Sequence, residues 1–181
     1  MSRAGDPVRP QRDPAGQPRD RDSAGRPRNA RARDELGRPL PRTATSAAGD
    51  VPQVPDDLVV TPAEAAALGG GMLADGRPFH AHEVFEAAWK SSSGPERELW
   101  RGLAQIAVGL THARRGNARG AVTLLRRGAE RVRGYAAGPG RRDPDGVDAE
   151  FVAASAVDVA TRIERDGLQA VSPADLRLRL C

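Results

Sequence analysis

His82 and Glu86 lie four residues apart in the stretch Phe79-His80-Ala81-His82-Glu83-Val84-Phe85-Glu86-Ala87-Ala88-Trp89. On a helix of about 3.6 residues per turn, that spacing stacks an imidazole beside a carboxylate, with Trp89 on the same stripe and Phe79 and Phe85 next to it. Two such groups can share one cation, but two ligands alone hold a metal weakly, and protein zinc sites use three or four. The pattern is not the zinc-protease His-Glu-x-x-His, because Glu86 stands where the second histidine would be. Further ligands would have to come from another helix. Gln105 and His112 share one side of the next helical segment, and Glu83 is within reach. The expected metal ligands are therefore His82, Glu86 and His112, with Glu83, Trp89 and Gln105 lining the pocket. Two imidazoles with one or two carboxylates suit zinc, iron or manganese. If chemistry occurs there, Glu83 or Glu86 would be the base, and no reaction or substrate can be assigned.

A second reading stays open beside the first. Ionisable groups among aromatic rings are costly unless they are paired or hydrogen-bonded. A satisfied network of His82 and Glu86 with Gln105 and the indole N–H groups of Trp89 or Trp100 would fix helix register without any ion. The chain would then be a non-catalytic interaction or structural module. His80 falls off the stripe and is expected at the surface.

The elements that would position these residues follow from period and punctuation. Thr61-Pro62-Ala63-Glu64 is a capping box with proline at the first helical position. The helix it opens meets Gly69-Gly70-Gly71, where a kink or break is expected, since each glycine costs about 1 kcal/mol against alanine. A second helix carries the His82 stretch to about Lys90. Ser93 and Glu96 suggest another capping box opening a third helix to about Arg114. That helix has no charge between Gly102 and His112, so it is expected to be central and buried. Gly116-Asn117 turns into a fourth, amphipathic helix, and a fifth spans about Asp148 to Glu164. The stretch 167–181 mixes a helix start at Ser172 with strand-like alternation in Leu176-Arg177-Leu178-Arg179-Leu180, and its structure is unassigned. The class is all-α, an antiparallel bundle of about five helices over 58–166.

Residues 1–57 alternate Arg, Asp, Pro, Gly and Ala with few bulky apolar side chains, the composition of a disordered tail. The net charge is +4, and Lys90 is the one lysine. Arginines on the fourth helix are interrupted by Glu130 and no aromatic interleaves them, so a solvated face is favoured over a nucleic-acid surface. No apolar run is long enough for a membrane span. The single cysteine, Cys181, excludes an internal disulfide and suits a reducing compartment, so a cytoplasmic location is expected. A small ligand, a protein partner and self-association all stay open.

Three segments in order, His82-x-x-x-Glu86-x-x-Trp89, Arg101-Gly102-Leu103-Ala104-Gln105-Ile106-Ala107-Val108-Gly109-Leu110-Thr111-His112 and Gly116-Asn117-x-x-Gly120-Ala121, resemble a prokaryotic family, domain of unknown function 309. The resemblance covers about Pro62 to Glu164. It implies a small all-helical cytoplasmic protein of unassigned activity in which the His-x-x-x-Glu-x-x-Trp motif matters and binds metal, with Gln105 and His112 as companions. The long arginine-rich N-terminal stretch and the glycine triplet depart from the family pattern.

Overall fold

A computed structural model of the chain describes residues 34, 36–38, 54–55, 58–139, 144 and 146–181. The tail expected over 1–57 lies outside the described residues apart from those few positions, as do 140–143 of the loop before the last helix. Five helices follow in order: α1 (Pro62–Ala74), α2 (Pro78–Ser91), α3 (Glu96–Arg114), α4 (Ala118–Ala136) and α5 (Ala149–Asp166). A single 3-10 turn, Leu168–Ala170, comes after them. There is no strand among the described residues, so the all-α bundle is as expected.

Each start has a local cause. The Thr61 hydroxyl accepts from the backbone N–H of Glu64, and the Glu64 carboxylate accepts from that of Thr61, closing the capping box. Asn117 accepts from Gly120 N–H and Asp148 from Phe151 N–H in the same way. The box expected at Ser93 does not form. α3 starts instead at Glu96, after a turn through Gly94 at φ +62° and Pro95, with no side-chain cap.

α1 runs unbroken through Gly69, Gly70 and Gly71, against the expected break. The reason is tertiary. A Cβ on Gly69 would lie 2.3 Å from Cε1 of Phe85, so the missing side chain is what lets that ring lie against the α1 backbone. Gly70 does the same for Leu180, whose Cδ1 would be 3.0 Å from an added Cβ.

α3 is the central element, with Leu99, Trp100, Leu103, Ile106, Ala107 and Leu110 fully enclosed. It runs antiparallel to α2, with Phe85 stacked on Trp100 at 6.1 Å and the Arg114 guanidinium donating to the carbonyl of Gly76. On its other side α4 comes close enough that a Cβ on Gly128 would be 2.8 Å from the Gly102 carbonyl oxygen, and one on Gly109 2.9 Å from Leu125. Backbone-to-backbone approach of this kind requires the side chain of glycine.

The unassigned C-terminal stretch resolves both of its conflicting signals. Ser172 and Asp175 exchange reciprocal cap-like hydrogen bonds, but only one turn forms. The chain then extends, burying Leu176, Leu178 and Leu180 while Arg177 and Arg179 face out. Asp148 N–H donates to the Leu180 carbonyl at 2.6 Å, and Asp175 accepts from Arg162 at 2.9 Å.

Candidate functional site

α2 buries Ala81, Val84, Phe85 and Ala88 together with His80, which is 2% exposed. The expected surface position of His80 is therefore wrong: it is enclosed, and its ring meets the Phe79 ring nearly edge-on at 5.4 Å. His82, Glu83, Glu86 and Trp89 are half-buried. His82 Nε2 stands 3.5 Å from Glu86 Oε2, and Lys90 Nζ stands 3.0 Å from Glu86 Oε1, so one carboxylate is shared along three successive i,i+4 positions. Burial lowers the pKa of His82; the Glu86 charge opposes that shift and Lys90 adds to it. The imidazole is therefore held towards its neutral form. Phe79 supplies part of that cover, its ring 6.4 Å from the His82 ring.

Trp89 is held from α3. The Arg97 guanidinium lies 4.9 Å and that of Arg101 5.6 Å from its ring centroid, within cation–π range. Arg97 also donates to the Trp89 carbonyl at 2.7 Å, satisfying an acceptor that the end of α2 leaves without an intrahelical donor. The tryptophan of the motif thus joins the exit of α2 to the first turns of α3. Neither the Trp89 nor the Trp100 indole N–H has a hydrogen-bond partner, so the indole bonds expected in a register-fixing network are not made.

The partners expected from α3 have their hydrogen bonds with α4 and the turn that leads into it. Gln105 Oε1 accepts from Arg131 Nε of α4 at 3.1 Å, and Arg131 continues to Glu98. His112 Nδ1 pairs with the Asn117 amide at 2.8 Å in the α3–α4 turn. Gly102 and Gly109 share the stripe of Gln105 and His112, and their close neighbour is α4. The α2 side of α3 is marked instead by Trp100, by Arg97 and Arg101 over Trp89, and by Arg114. The structure thus brings His82 and Glu86 together, with Lys90 and Trp89 beside them, and pairs Gln105 with Arg131 and His112 with Asn117. Among the described residues no group of three His, Cys, Asp or Glu side chains is placed to hold a metal ion. The i,i+4 pair Arg97 and Arg101 was the readable signal that sequence reasoning passed over.

An open groove of about 410 Å³ runs between α1 and the C-terminal stretch, lined by Ala66, Gly70, Gly71, Leu180 and Cys181 among others, and shares no residue with the motif. No helix among the described residues is long and apolar enough to cross a membrane.

Residues 68–124 match the family described as Domain of unknown function (DUF309). The DUF309 segment runs from within α1 to the first turns of α4 and includes His82, Glu86, Trp89, Gln105 and His112, a shorter reach than the resemblance to Glu164 suggested. No curated protein and no solved structure matches the chain.

Proposed function

We propose that this chain is a non-catalytic helical interaction module, cytoplasmic in location, in which Trp89 of the His-x-x-x-Glu-x-x-Trp pattern holds the end of α2 against α3. What supports this reading is that Trp89, Gln105 and His112 are each engaged by a neighbouring helix or turn, while His82 and Glu86 pair with each other along α2. Trp89 is clamped by Arg97 and Arg101, Gln105 is tied to Arg131, and His112 is tied to Asn117. A catalytic or metal centre needs such groups to converge on one point.

The competing reading, a metal or small-ligand site with His82, Glu86 and His112 as ligands, draws support from one observation. The His82 imidazole is biased to its neutral, ligating form at 3.5 Å from a carboxylate. The two readings separate in a titration of untagged protein with zinc(II), iron(II) and manganese(II), followed by calorimetry and thermal unfolding. The module reading expects no saturable heat and an unchanged midpoint, with His82→Gln lowering the midpoint only slightly. A saturable, stoichiometric stabilisation by one metal that disappears in His82→Gln would overturn it.

A further inference from the structure

The end of the bundle where α2 begins and α3 stops carries a contact that the motif does not explain. The carbonyl of Leu36 accepts from Arg115 Nε at 2.9 Å and also from Nη2, so both prongs of the guanidinium close on one oxygen. The next residue, Gly37, has φ +71°, is buried, and lies so close to Phe79 that an added Cβ would be 2.2 Å from the ring carbon Cδ2. No side chain fits there, and the backbone conformation is one that L residues rarely adopt.

The segment that makes this contact builds its own shape. Asp34 Oδ1 accepts from the backbone N–H of Leu36 at 2.9 Å and of Arg38 at 2.7 Å. Gly37 N–H donates to the Asp34 carbonyl at 2.8 Å, and Asp34 N–H to that of Arg38 at 3.0 Å. The turn therefore owes its form to its own residues, and its seat to Arg115 and Phe79. Both seat residues fall inside the DUF309 segment, whereas the turn comes from 79 residues before Arg115.

We propose that the joint end of α2 and α3 is a binding site for a short glycine turn of the pattern Asp-x-Leu-Gly-Arg, and that the chain's own copy is a displaceable occupant. The proposal rests on the reading of the chain as an interaction module and names what the module takes. The seat uses a carbonyl fork and an aromatic face, which recognise the turn and not its distance along the chain, so a second copy of the same turn fits equally. Among the described residues the seat offers a guanidinium fork and a ring face, while docking fixes several residues of backbone; these terms oppose one another at similar size, so exchange of the turn is expected.

Nuclear magnetic resonance of the isotope-labelled full chain tests this. In the docked state the Gly37 Hα signals are expected upfield, in the shielding region of the Phe79 ring, and at random-coil positions in Phe79→Leu. Addition of an unlabelled peptide spanning residues 31–42 is expected to move the chain's own Gly37 signals to the undocked position, and the same peptide carrying Gly37→Val to leave them in place. Random-coil Gly37 signals in the untreated chain would overturn the docking. Upfield signals that resist a large excess of peptide would overturn displaceability. The Gly37→Val substitution in that control is carried by the peptide, so the labelled chain is unaltered. Neither Gly37 nor Arg115 is a candidate metal ligand, so failure here is distinct from failure of the metal titration.

Discussion

Gly69 and Gly71 lie on one helix two residues apart, and replacing each by alanine should change stability in opposite directions. Gly71 is exposed, and an added Cβ meets nothing within 4 Å. Alanine there gains helix propensity alone, about 1 kcal/mol of stabilisation. At Gly69 the same gain is opposed by overlap. The new Cβ falls 2.3 Å from Cε1 and 2.6 Å from Cζ of Phe85. Carbon atoms pack at about 3.5–4.0 Å, so the ring must retreat by more than about 1 Å. It has little room, because Phe85 is fully enclosed and stacks on Trp100, itself fully enclosed. Overpacking of that kind costs about 1–3 kcal/mol, so Gly69→Ala should be destabilising by up to about 2 kcal/mol after the propensity gain. Urea denaturation followed by far-UV circular dichroism would read the difference between the two variants as about 1–3 kcal/mol. Equal stabilisation by both substitutions would refute the claim that Gly69 exists to admit Phe85.

Other consequences follow from the same packing. Gly128→Ala puts a Cβ 2.8 Å from the Gly102 carbonyl and 2.9 Å from the Ile106 nitrogen, backbone atoms that cannot rotate aside; it should cost about 1–3 kcal/mol or more in a denaturation midpoint. Replacing Arg97 and Arg101 together by alanine should lower stability by about 1–2 kcal/mol and change the emission of Trp89, whose ring they cover. His82 has a lowered folded pKa, so the unfolded chain takes up the proton first as pH falls through its ordinary value near ~6.5, and stability should fall there. His82→Gln should flatten that slope in thermal melts. The Asp175 carboxyl is held well below its usual value by Arg162 first and then by Ser172, so its contribution is present above about pH 4 and is lost on acidification; Asp175→Asn should remove that part of the acid sensitivity.

What could be read from the sequence was what is local. Thr61 with Glu64, Asn117 with Gly120, and the amphipathic period of α4 each state their structure within a turn or two of chain. The glycine triplet could not be read this way, because its reason is a ring on another helix and a leucine near the C-terminus. The Ser93 cap lost to the Gly94-Pro95 turn, which offers the chain a different entry to α3. On α2 the stripe was identified but its rotation was not: the buried histidine is His80 and the half-exposed one is His82, since Phe85 and Ala88 set the inward face. On α3 the hydrogen-bond partners of Gln105 and His112 are Arg131 of α4 and Asn117. The glycines did signal close approach, but a helix packed on both sides does not reveal from its own sequence which partner takes which stripe. The turn at Gly37 was hidden by composition, because one structured turn is diluted among arginines, prolines and acids.

The most direct test of the central claim is elemental analysis of full-length protein purified without a histidine tag, wild type beside His82→Ala. An interaction module predicts equal and negligible zinc, iron and manganese in both preparations. Stoichiometric metal in the wild type that is lost with His82 would contradict the account.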